Sequence, residues 1–176
     1  MMQTINNIKN SGPAYSASIS ESDMRHTFFA LTHDIARILG IDLPELPNDI
    51  DLSVEINLTI RGIEVSICHD IDTAADSLSI LCEYGHIDEA APPQMLASLL
   101  SENVKYPHID RPIFFMPPDS HLLFQMRSLF INTTDAGKIL NCAQDMVCQA
   151  REWKNKCETM PATLGSAEEF ISWQQR

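Results

Sequence analysis

Histidine and cysteine are the side chains that do chemistry most readily near neutral pH, and this 176-residue chain has six of one and five of the other. His26 and His33 stand seven apart and share a face if their segment is helical, but two imidazoles are an incomplete metal site. Asp34 follows His33 directly, and helical neighbours one apart do not face each other. Cys142 or Cys148 with His121 would supply a nucleophile and a base, against which stands the ordinary role of such thiols as small, buried, inert groups. The six glycines (12, 40, 62, 85, 137 and 165) stand alone, so nothing resembles a loop that cradles phosphate. No GxSxG, HExxH or kinase-type set is present. The sequence therefore assigns no catalytic, cofactor-binding or metal-binding residue, predicts no cofactor, and reads as that of a protein that is not an enzyme.

Composition points the same way. Apolar residues make up 44% and charged residues 20%, an ordinary globular balance for a chain long enough to bury one core without metal or disulfide. Cys68, Cys82, Cys142, Cys148 and Cys157 are odd in number and contain no CxxC pair. The first ten residues lack a basic start and apolar core, and no apolar run approaches the ~20 residues of a membrane span. These features predict free thiols in a reducing cytoplasm. The net charge is -12, and between Arg37 and Lys105 the one basic residue is Arg61, amid thirteen Asp and Glu. Such a field repels nucleic-acid backbones and anionic membranes and favours a neutral or basic protein partner.

The elements that position these residues follow from periodicity. Residues 1–22 show no period and read as a mobile N-terminal arm. A helix follows, with Ser22 as N-cap, Met24, Phe28, Leu31, Ile35 and Ile38 on one stripe, and Gly40 as C-cap. Phe29 lies off the stripe. Beyond a Pro44–Pro47 loop the period becomes two: Leu52, Val54, Ile56, Leu58 and Ile60 alternate with polar residues, and Ile63, Val65 and Ile67 resume the pattern. A tight Arg61-Gly62 turn would join these as a hairpin, although Arg is a poor first turn residue, so the turn type stays open. A polar link, Asp70 to Asp76, leads to a third strand with Leu78, Ile80, Cys82 and Tyr84, closed by Gly85. Pro92-Pro93 opens a short, nearly uncharged helix with Met95, Leu96, Leu99 and Leu100, and Asn103 as its C-cap. Ile113 to Met116 form a fourth strand, stopped by Pro117-Pro118-Asp119. In the fifth, Leu122, Phe124, Met126 and Ser128 oppose His121, Leu123, Gln125 and Arg127. A long helix begins near Thr134 with Ile139, Ala143, Met146, Ala150 and Trp153 on its stripe. The fold class is α+β: helix, three strands, helix, two strands, helix, with the helices on a five-stranded antiparallel sheet over residues 23–157. Residues 158–176 form a C-terminal tail.

Several strings, taken with this order and the acidic charge, resemble the Tir-chaperone (CesT-type) family of type III secretion chaperones. They are Ile38-Leu39-Gly40-Ile41, the alternating run from Leu52 to Ile60, Gly62-Ile63-Glu64-Val65, Leu78-Ser79-Ile80-Leu81, Leu99-Leu100 with Asn103, and Ala150-Arg151-Glu152-Trp153. The likeness covers roughly residues 24–156. It implies a cytoplasmic homodimer of a Gram-negative bacterium, without nucleotide or metal, that binds the non-globular N-terminal segment of a secreted effector and keeps it competent for secretion. It also implies a dimer seam at the second helix, which carries over to Met95, Leu96, Leu99 and Leu100. Grooves on the first helix and the sheet would receive the effector, with Phe28, Phe29, Ile113 and Phe115 as the candidate contacts. The alternatives are a regulatory adaptor of the same fold that sequesters a secretion regulator, and a small-ligand-binding α+β enzyme.

Overall fold

The string Ser20-Glu21-Ser22-Asp23 sets where the first helix begins. In the computed structural model, which describes residues 20–43, 53–87, 96–97, 99–101, 103 and 112–158, α1 (Glu21–Leu39) is capped by Ser20 rather than Ser22. The Ser20 hydroxyl accepts the N–H of Asp23 at 3.2 Å, and the Asp23 carboxylate accepts the N–H of Ser20 at 3.2 Å. This reciprocal box satisfies two amides that have no partner inside the helix, which a cap at Ser22 would not do. Hydrogen bonds from the Ser20 side chain and then its backbone hold the Asp23 carboxyl below its usual range. Gly40, at φ +66°, closes the helix as expected. Ser20 thus caps α1 and residues 21–22 belong to it, while the rest of the expected N-terminal arm, and the tail beyond Glu158, lie outside the described residues.

Strands β1 (Val54–Ile60) and β2 (Ile63–His69) pair through the expected hairpin, with Ile60 opposite Ile63. Arg61 and Gly62 take φ values of +52° and +78°, so the turn has positive φ at both central positions, the twist that matches paired strands. The polar link holds one helical turn, α2 (Ile71–Ala74), capped by Asp70. β3 (Ser77–His86) continues one residue past Gly85, with a bulge near Glu83. Residues 96, 97, 99–101 and 103 are helical, and β4 (Ile113–Phe115) and β5 (Leu122–Phe130) follow. Every pairing is antiparallel, in the order β1-β2-β3-β5-β4, which is the architecture the sequence predicts. A 3-10 turn (Ile131–Thr133) leads to α3 (Ala136–Glu158), where Asp135 accepts the N–H of Lys138 at 2.8 Å and caps the first turn.

Both long helices cover one face of the sheet. α3 buries Ile139, Ala143, Met146, Val147, Ala150 and Trp153 against β3 and β2, and α1 packs on α3 and the 131–133 turn. The sheet answers with Val54, Ile56, Leu58, Val65, Ile67, Leu78, Ile80 and Cys82. One expectation fails here. Ile38, on the expected stripe, is 57% exposed, and Leu39 and Ile41 beside it are exposed as well. β5 turns Leu123, Gln125 and Leu129 inward, so its more apolar set, Leu122, Phe124 and Met126, faces out. Buried Gln125 is tied by its Nε2 to Oε1 of Gln149 on α3 at 3.2 Å, and the Tyr84 hydroxyl donates to the same oxygen at 3.4 Å. Cys68, Cys82, Cys142 and Cys148 form no disulfide, and burial pushes Cys68 and Cys82 up to about 12, so both stay protonated at neutral pH. No described helix is long and apolar enough to cross a membrane.

Candidate partner-binding surface

The outward face of the sheet divides by chemistry. Towards β1 and β2 it carries Glu55, Asn57, Thr59, Glu64 and Ser66, where Thr59 donates to Glu64 at 2.9 Å and Ser66 to Asn57 at 2.6 Å. Towards β4 and β5 it carries Leu81, Met126 and Ile113 in one cross-strand row, with Phe124 and Phe115 as neighbours in the next. The rings of Phe115 and Phe124 stack with centroids 5.7 Å apart and planes 22° from parallel. All five side chains are half-buried, on the side of the sheet away from α1 and α3. Two residues of the expected contact set, Ile113 and Phe115, therefore share one apolar patch.

The segment over 96–103 meets the same edge. β4 is the last strand, so Phe114 would present unpaired backbone groups on its open side. The side chain of Asn103 satisfies them: its Oδ1 accepts the Phe114 N–H at 2.7 Å, and its Nδ2 donates to the Phe114 carbonyl at 2.8 Å. Asn103 is thus a clamp between helix and strand. Replacing it with Ala strands two backbone groups and is expected to cost about 1–3 kcal/mol in urea unfolding. A loss under about 0.5 kcal/mol would show that water serves Phe114 equally well.

Beside the clamp lies an open cavity of about 190 Å³, lined by Leu96, Leu99, Leu100, Phe114, Phe115, Met116 and Leu123. Every lining side chain is apolar, so the cavity can shield aliphatic or aromatic groups from water and offers no group for acid–base work. The structure brings Leu96, Leu99 and Leu100 together with Phe115, which the sequence placed in separate surfaces. Leu99 is buried and Leu96 half-buried against the core, while Leu100 is 56% exposed. Met95 lies outside the described residues.

The first-helix candidates separate. Phe28 is fully buried, its ring 5.1 Å from that of His69, so no partner reaches it without unpacking α1. It is a core residue, which corrects its place among the contact candidates. Phe29 is half-buried, with its centroid 5.9 Å from the Arg25 guanidinium carbon, and remains a candidate on α1. His26 and His33 are exposed, and no group of three or more metal-ligating side chains occurs among the described residues. The residues that sequence reasoning missed are Phe124, Met126 and Leu81. The signal for them was present, because pairing Ile113 and Phe115 with the alternating β5 sequence gathers an apolar patch on the outward face.

No curated protein sequence matches the chain. Among solved structures, the fold is similar to the Yersinia pestis type III secretion chaperone SycH, determined in complex with a stable fragment of YscM2. That match has 19% identity and a TM-score of 0.53, covering 70% of this chain and 97% of the other. It is similar to a chain of the ExsC–ExsE complex, at 12% identity and a TM-score of 0.59, covering 74% and 92%. It is also similar to a chain of the HopA1–SchA chaperone–effector complex, at 17% identity and a TM-score of 0.53, covering 73% and 94%. At such identities the likeness is one of fold. The sequence itself carries the assignment: residues 31–154 match the model of the Tir chaperone protein (CesT) family, and the chain belongs to that family.

Proposed function

We propose that this protein is a cytoplasmic, homodimeric type III secretion chaperone that binds the non-globular N-terminal segment of a cognate effector and keeps it competent for secretion. The observation that carries the reading is the apolar surface at β4 and β5. A stacked Phe115–Phe124 pair with Ile113 and Met126 faces away from α1 and α3, next to an open cavity with no polar lining residue. A protein with no chemistry to perform there gains from such a surface only by covering it, and an unfolded segment supplies apolar anchors spaced along a chain. The net charge of -12 keeps the protein soluble and suits a neutral or basic segment. Relatives in fold were solved as complexes with protein partners, one of them named a chaperone–effector complex, which supports the same use here.

In this reading the patch of Ile113, Phe115, Phe124 and Met126 takes the effector, and exposed Leu100 with Leu96 contributes to the dimer seam. Phe29 extends the effector surface onto α1. The test is binding of the partner recovered from the cells that encode both proteins, with circular dichroism to confirm folding of each variant. Phe115→Asp is expected to weaken binding by roughly 30-fold or more, the loss of an aromatic anchor worth about 2 kcal/mol. Phe29→Asp is expected to weaken it less. Unchanged binding by both folded variants would remove these surfaces from the account.

A further inference from the structure

We propose that α1 is held to the sheet by an acid-sensitive latch at His69, whose protonation loosens α1 and the α2 turn while α3 stays docked. His69 ends β2 with its side chain fully buried beneath α1, its ring against Phe28. Its Nε2 lies 3.0 Å from the carbonyl oxygen of Ala75, just after α2. A carbonyl only accepts, so Nε2 carries the hydrogen and Nδ1 holds the bare lone pair. That Nδ1 is buried and meets no hydrogen-bond partner among the described residues. A second proton can go only there, into a buried site where no described side chain or carbonyl receives its N–H.

The neighbouring charges reinforce this. Arg25, on α1, is 2% exposed and donates from Nη1 to the carbonyl of His69 itself at 3.5 Å. Its guanidinium stays charged at every relevant pH. An imidazolium at His69 would therefore be a second buried cation beside the first, on the contact where α1 meets β2. Asp70, the residue after β2, opposes this, but it is half-exposed and its carboxylate accepts the N–H of Asp72 at 3.2 Å. Burial is the largest influence on the ring and lowers its pKa. The Ala75 hydrogen bond acts upward, Arg25 downward and Asp70 upward.

The sign of the pH dependence follows. A histidine lowered in the closed state takes its proton preferentially when the latch opens, where its value returns to about 6.5. The latch is therefore fully closed above about pH 6.5 and weakens as pH falls below it, until the lowered closed-state value is reached. For one proton the opening equilibrium rises between pH 7.5 and 5.5, by at most about tenfold. Because Phe29 rides on α1 beside Arg25, the same opening would disturb that part of the surface.

Amide hydrogen exchange of the full chain at pH 7.5 and 5.5, corrected for the intrinsic exchange rate, tests this. Protection in α1 and α2 is expected to fall relative to α3 in the wild type, by up to about tenfold. His69→Gln, which keeps a donor for Ala75 and cannot charge, is expected to show no such fall. Equal pH dependence in His69→Gln, or constant α1 protection in the wild type, would overturn the latch. Should the variant not fold, the imidazole signals of wild-type His69 decide: the ring is expected to titrate below the ordinary value of about 6.5 in the closed protein. Titration near 6.5 with α1 still protected would overturn the proposal.

Discussion

Phe28→Ala is expected to lower the unfolding free energy by about 3–5 kcal/mol, the usual cost of deleting a buried ring and leaving a cavity. The ring is fully buried on α1, 5.1 Å from the His69 ring and 6.3 Å from that of Phe29. Stability of a domain this size is about 5–15 kcal/mol, so the loss moves the urea midpoint far and puts the folded state at risk near physiological temperature. Phe29→Ala is the control. Its ring is half-buried and stands over Arg25, so its removal is expected to cost clearly less. The pair of denaturation curves separates a residue that holds α1 to the sheet from one that faces outward. Equal costs would mean that the burial contrast between these neighbours carries no energetic weight.

Leu100→Asp is expected to convert the proposed dimer into folded monomers. The side chain is 56% exposed in the single chain, so a carboxylate there stays in water and leaves the protomer intact. At a two-fold seam the same carboxylate is buried once from each copy without a counter-ion, and an unpaired buried charge costs several kcal/mol. At about 3 kcal/mol the dimer dissociation constant rises roughly 150-fold, enough to split a micromolar dimer. Leu99→Asp provides the contrast, because Leu99 is only 7% exposed within its own chain and the substitution is expected to unfold the protomer. Light scattering with circular dichroism reads both outcomes. A monomeric wild type at micromolar concentration, or a Leu100→Asp variant that remains dimeric, would remove this helix from the seam.

Strict periods were the most readable part of the sequence. The two-residue alternation from Val54 to Ile67 could satisfy only a half-buried hairpin, and the Ile60–Ile63 register followed from the two residues between them. The α3 stripe was equally plain, because Ile139, Ala143, Met146, Ala150 and Trp153 keep the helical spacing through about four turns. Periodicity says that a strand has two faces but not which one a neighbour covers. Gln125 is buried through its bond to Gln149, twenty-four residues away, and that partner decides the facing of β5. Ile38 keeps the stripe's spacing and is exposed all the same. Phe28 and Phe29 differ by one position and 100° of helical rotation, and only packing tells core from surface. The cap at Ser20 was legible from the Ser-x-x-Asp spacing, but Ser22 two residues later offered a competing hydroxyl. Asn103 was recognised as special for its place near a helix end, while its bonds to Phe114 required the edge strand to be in view.

The most direct test of the central claim is native mass spectrometry of the complex recovered from the cells that encode this protein, with hydrogen exchange on the bound partner. The account predicts a dimer of this chain holding the N-terminal segment of a secreted protein, and that segment exchanges as a chain without tertiary structure of its own. Contact is expected to slow exchange on the chaperone at β4 and β5. A partner bound through a folded domain, or a dimer that carries no protein ligand while its partner is present in the same cells, would contradict it.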